Sequence, residues 1–107
     1  SSHLLNSVNG THASNVGVII YQIKSNGEKK VFHETKTDSG GRLLKEFILD
    51  DEDCKSEYEM VCKTGDYFSE KKIISEVVVK FKMPDPNKKY HIPIIISPNG
   101  YSIWWSD

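Results

Sequence analysis

Tyr90-His-Ile-Pro-Ile-Ile-Ile-Ser-Pro-Asn-Gly-Tyr-Ser-Ile-Trp-Trp-Ser-Asp107 closes the chain and reads as two β-strands joined by a tight turn at Pro98-Asn-Gly100. Isoleucines dominate the first of these strands, a composition that fits a pleated, buried surface. His91 stands at its start. An imidazole among isoleucines is costly to desolvate without a partner, so this histidine is a candidate functional residue. Trp104 and Trp105 point to opposite faces of the last strand. One is expected to fill core and the other to meet a partner subunit or a ligand.

Upstream, strand follows strand. Glu76 to Met83 alternates cleanly, with Val77, Val79, Phe81 and Met83 inward and Val78, Lys80 and Lys82 outward. Glu57 to Lys63 sends Tyr58, Met60 and Cys62 inward in the same way. Val16 to Ile23 is apolar on both faces, as in a sandwich that also oligomerises. Lys30 to Thr37 is less apolar and reads as an edge strand. Ser2 to Ser7 forms a first strand closed by Asn9-Gly10, and Asn26-Gly27 makes a hairpin. Phe47 to Leu49 reads as a short strand that runs into an acidic loop, Asp50 to Asp53. Gly65 to Ser75 is the one helical segment, with Phe68, Lys71, Lys72 and Ser75 spaced for one or two turns. Seven or eight strands at regular spacing, without an internal repeat, predict an all-β sandwich or barrel.

The 107 residues are expected to form a single domain, 1–107. Fourteen basic residues against fifteen acidic ones give a net charge of -1, which argues against general nucleic-acid binding. The longest apolar run, Ile92 to Ile96, suits a buried strand and is too short to span a membrane. No signal-peptide region is expected. Cys54 and Cys62 do not make a disulfide framework: Cys62 reads as a small buried hydrophobe and Cys54 as an exposed thiol in an acidic turn. They point to a reducing compartment, cytoplasmic or peroxisomal, although the final Ser-Asp is not a Ser-Lys-Leu address. No phosphate-cradling glycine loop and no Gly-x-Ser-x-Gly elbow is present. Asp50-Asp-Glu-Asp53 resembles a calcium ligand run without the spacing of an EF-hand.

Of the four histidines, His12 and His33 read as surface residues. His3 opens the first strand, His91 the penultimate one, and Arg42 follows the glycine turn Asp38-Ser-Gly-Gly41. Taken singly, each histidine is more often structural than catalytic, and Arg42 is a solvated turn residue. Together they fit a small hydrolase. An imidazole exchanges protons near neutral pH, and a guanidinium fork suits a flat, carbonyl-rich anionic ring. His3, His91 and Asp107 also have metal-ligand chemistry, without spacing that indicates a site.

Several stretches resemble the transthyretin-like family, and within it the 5-hydroxyisourate hydrolases. They are His3-Leu-Leu-Asn6 with Gly10, Thr37-Asp-Ser-Gly-Gly-Arg42, Gly65-Asp-Tyr-Phe68, Val77-Val-Val-Lys-Phe81, and Tyr90-His-Ile-Pro-Ile-Ile-Ile-Ser-Pro98 with Tyr101-Ser102. The resemblance implies two four-stranded sheets with one short helix, a homotetramer built as a dimer of dimers, and active sites in the channel between the dimers. It implies ring opening of 5-hydroxyisourate without metal or organic cofactor, with His3, Arg42 and His91 catalytic. The hormone-carrier branch lacks this set; a carrier of small molecules on the same scaffold is the alternative reading. The hydrolases typically end in Tyr-Arg-Gly-Ser, and Trp104-Trp-Ser-Asp107 stands there instead. Ser106 and the Asp107 carboxylate, beside Arg42, are then the candidate substrate contacts.

Overall fold

The computed structural model describes residues 1–68 and 73–105. Its strands are β1 (Ser2–Asn6), β2 (Thr11–His12), β3 (Gly17–Ile23), β4 (Lys29–Lys36), β5 (Arg42–Leu43), β6 (Glu57–Cys62), β7 (Val77–Lys82), β8 (Ile92–Ser97) and β9 (Gly100–Ile103). Two one-turn helices, α1 (Asp51–Lys55) and α2 (Thr64–Tyr67), flank β6. One sheet runs β4-β3-β6-β7 and is antiparallel throughout. The other runs β2-β1-β8-β9, with β1 and β8 parallel. β2 and β5 share the remaining edge of β1: β2 lies beside Leu5 and Asn6, β5 beside Ser2 and His3.

Alternation puts the core between the sheets. Leu4, Leu43, Ile92, Ile94 and Ile96 face inward from one sheet and meet Val18, Ile20, Tyr58, Met60, Cys62 and Val77 from the other. Each such side chain contributes roughly 1.5–3 kcal/mol by leaving water. The all-β sandwich, the edge position of the fourth strand and the inward sets of β6 and β7 agree with the sequence reading. Burial pushes the Cys62 thiol up to about 12, as expected of a packed hydrophobe.

Four expectations need correction. Among the described residues the sheets have four and five strands, because two-residue β2 and β5 each count, and there are two helical turns where one was expected. Phe47 to Leu49 is not a strand. The alternation is there, with Ile48 fully exposed, but no strand edge pairs with it. Phe47 is held instead by its ring against Phe32, centroids 4.5 Å apart, and against the His33 ring at 5.8 Å. The acidic run is a helix start. Asp50 Oδ1 accepts the Asp53 amide at 2.8 Å and Asp53 Oδ2 accepts the Asp50 amide at 3.1 Å, a reciprocal cap on α1. Cys54 therefore sits half-buried on a helix rather than in a turn, its thiol raised by desolvation and then by Asp51 and Asp53. Of the predicted helical segment, Thr64 to Tyr67 is helical, and Lys71 and Lys72 lie outside the described residues.

One turn governs where Arg42 goes. Gly41 has φ +73°, and its carbonyl accepts the Leu4 amide at 2.8 Å. A Cβ at Gly41 would stand 2.5 Å from the Leu4 carbonyl oxygen, so the close approach of β5 to β1 requires glycine. Gly41→Ala is expected to lower the unfolding free energy by about 1–3 kcal/mol in urea denaturation. An unchanged midpoint and slope would show that this turn carries no such constraint.

Candidate active site

The register of β1 sorts its residues by parity. Ser2, Leu4 and Asn6 are buried, while His3 and Leu5 lie on the outer face. Directly paired residues on neighbouring strands share a face, so the partners of His3 and Leu5 are outward too. His3 pairs with Arg42 across the β1–β5 edge and with Pro93 in β8. Leu5 pairs with His12 across the β1–β2 hairpin. His91 lies two residues before Pro93, which returns it to the same face. The structure thus gathers His3, Arg42 and His91, which the sequence singled out, on one outward sheet surface. It adds His12, which sequence reasoning treated as a bare surface residue.

The contacts are direct. His3 Nε2 lies 2.9 Å from His12 Nδ1, with the rings stacked at 5.0 Å between centroids. His91 Nδ1 lies 2.8 Å from Ser1 Oγ. The half-buried imidazoles of His3 and His91 are flanked by the exposed Arg42 and His12. Desolvation holds the His3 pKa below its ordinary value, the Arg42 guanidinium adds to the effect, and His12 and His91 contribute less. A backbone hydrogen bond to Gly40 works in the opposite direction.

Asp38 sets the Arg42 end. Its Oδ1 accepts the amides of Gly40 and Arg42, both at 2.9 Å, and its own amide donates to the Arg42 carbonyl at 2.9 Å. Those amides, Arg42 first, hold the Asp38 carboxyl below the usual carboxylate range. The sequence offered this turn through its glycines, but the carboxylate that closes it was not singled out.

The remaining predictions are placed as follows. Trp104 and Trp105 are 47% and 52% exposed, so neither fills the core as expected; β9 ends at Ile103 and the pair lies beyond it. The β8–β9 register continues far enough for the Trp104 amide to reach the Pro93 carbonyl at 3.4 Å, level with the site face. Trp105 takes the Lys88 ammonium over its ring at 4.9 Å. Ser106 and Asp107 lie outside the described residues, and with them one arm of the His3, His91, Asp107 metal alternative. Among the described residues no three His, Cys, Asp or Glu side chains are arranged to hold a metal, and no helix is long and apolar enough to cross a membrane. A cavity of about 450 Å³ lies between the sheets, lined by Ile20, Leu43, Met60, Phe81 and Ile92 among others, on the opposite side of the sheet from the polar group.

The two sheets overlay transthyretin from Sparus aurata with a TM-score of 0.85, at 20% identity and covering 98% of this chain and 93% of that one; this defines the fold as a transthyretin-like sandwich. The chain belongs to the HIUase/Transthyretin family, whose pattern matches residues 1–105. Similar curated proteins include the 5-hydroxyisourate hydrolase of Salmonella dublin, 33% identical over 97% of this chain and 77% of that protein. The 5-hydroxyisourate hydrolase of Halalkalibacterium halodurans is 28% identical over 97% of this chain and 93% of that protein.

The His3 environment has a consequence for pH. A base whose folded pKa is depressed contributes stability that is present above its unfolded value, here 6.5, and is lost as pH falls through the folded value. An NMR titration is expected to find the His3 ring titrating below 6.5, and Arg42→Gln to move it upward. An unmoved His3 curve in Arg42→Gln would remove the guanidinium as a cause.

Proposed function

We propose that this protein hydrolyses 5-hydroxyisourate, the product of urate oxidation, by opening its ring. The observation that carries the reading is the common outward face of His3, Arg42 and His91, built by the register of β1 with β5 and β8. The activity named for the curated relatives supports the same reading. Water adds to a ring carbonyl, the adjacent C–N bond breaks, and the nitrogen leaves with a proton. The reaction therefore needs a base for the water, a cation for the developing oxyanion, and an acid for the nitrogen.

The chain supplies each. His3, kept neutral by burial and by Arg42, is suited to receive a proton at physiological pH. Arg42 offers its donors to the ring carbonyls and stabilises the charge that forms. His91, steadied through Nδ1 by Ser1, is positioned to serve the leaving nitrogen. No metal or organic cofactor enters this scheme. Ser106 and Asp107, outside the described residues, stay candidate substrate contacts on the sequence alone.

We further infer a homotetramer, a dimer of dimers whose central channel is lined by this face. The exposed Tyr101, Ile103, Trp104 and Trp105 support that assembly, since aromatic and apolar side chains favour interfaces. The same two tryptophans favour the second reading, a carrier that binds an aromatic ligand in the channel without turning it over.

Kinetics separates the two. With 5-hydroxyisourate generated from urate by urate oxidase, the protein is expected to speed its decay. His91→Ala and Arg42→Ala are each expected to lower kcat/KM by about 10²–10⁴, and a chelator to leave the rate unchanged. Decay at the spontaneous rate, together with tight binding of an aromatic ligand, would give the carrier reading instead.

A further inference from the structure

His3 Nε2 is 2.9 Å from His12 Nδ1, so one ring donates to the other, and the two rings stack at 5.0 Å between centroids. The His12 ring is exposed where His3 is half-buried, which makes it the outer member of the pair. With His12 as the donor, the lone pair of His3 Nε2 is taken up by His12 Nδ1–H, and His12 Nε2 is a bare acceptor for an attacking water.

We propose that His12 is the outer half of a two-imidazole relay, taking the proton of the attacking water at Nε2 and passing its own Nδ1 proton to His3 Nε2. The inference rests on the hydrolase reading of the site. The balance closes. Hydroxide goes to the ring carbonyl, His12 ends as the neutral Nε2–H tautomer, and His3 ends as an imidazolium donating through Nε2 to His12. Return of the proton along the same path delivers it to the product side and restores both rings.

The charges around the pair suit temporary storage. Arg42 on β5 and His91 ahead of β8 both disfavour charge on His3, while Asp38 in the preceding turn attracts it. A proton held on His3 is therefore readily given back. Two features place His12 there: the β1–β2 hairpin, whose Leu5–His12 pairing sets the diagonal to His3, and the ring stack that holds the two planes together.

Two measurements test the relay. In substrate-free protein, NMR of the ring nitrogens is expected to find His3 titrating in two separated steps, and in a single step in His12→Ala. In turnover, His12→Ala is expected to lose about 10²-fold in kcat with KM little changed, and added imidazole to restore much of the loss. His12→Asn keeps an N–H for His3 Nε2 but cannot carry a proton, so it is expected to stay as slow as His12→Ala. Wild-type kcat in either variant, or no rescue by imidazole, overturns the relay. If the wild-type protein leaves 5-hydroxyisourate untouched, the substrate assignment falls while the titration still decides the pair: a two-step His3 curve upholds it, and a single-step His3 curve that His12→Ala leaves unchanged overturns it.

Discussion

The pleat of β1 is the constraint on which both core and site depend. One strand of five residues is bonded to β8 along one edge and to β2 and β5 along the other. Its even positions seal the interior, with Leu4 and Asn6 buried and Ser2 Oγ donating to the Ile92 carbonyl at 2.6 Å. Its odd positions bring outward partners from three distant parts of the chain to one surface. A slip of one residue would bury His3 and expose Leu4, so hydrophobic sorting that stabilises the sandwich also fixes the register of the chemistry.

Electrostatics then gives the surface its character. Desolvation, and after it the Arg42 guanidinium, hold the His3 pKa down, and a short carboxylate turn holds the strand that carries the guanidinium. The polar groups are matched locally. Elsewhere one buried polar cluster is tied into the frame: Gln22 donates to Asp53 at 2.8 Å and to Ser56 at 3.0 Å, and Tyr58 donates its hydroxyl to the Asp53 carbonyl at 2.7 Å. These bonds join α1 to the inward faces of β3 and β6, well away from the outward surface of β1.

Much of this was legible in the sequence because period-two alternation is a strong signal. Val77 to Phe81, Tyr58 to Cys62 and the isoleucine strand after His91 declared their inward faces directly. His3, Arg42 and His91 were legible through their residue types and through family resemblance. His12 was not, because its role depends on hairpin register: Gly10 at φ +73° and its amide bond to the Asn6 carbonyl bring Thr11 and His12 back alongside β1. Carrying the Asn9-Gly10 turn two residues further would have found it. The cap of α1 was hidden because aspartate, rather than glutamate, closes it at the third helical position. Phe47 to Leu49 and the two tryptophans misled for a common reason, since alternation and aromatic bulk say nothing about which edge or surface is available to receive them.

The shortness of β5 has a dynamic consequence. Arg42 rides on a two-residue strand whose other member, Leu43, is buried in the core beside the cavity between the sheets. Such a segment is held by its pairing with β1, the Asp38 turn and the single buried side chain of Leu43, so the position of the guanidinium depends on few contacts. Were those contacts released, the guanidinium would leave His3 and that imidazole would regain affinity for protons, so that the hold on β5 also sets the basicity of His3.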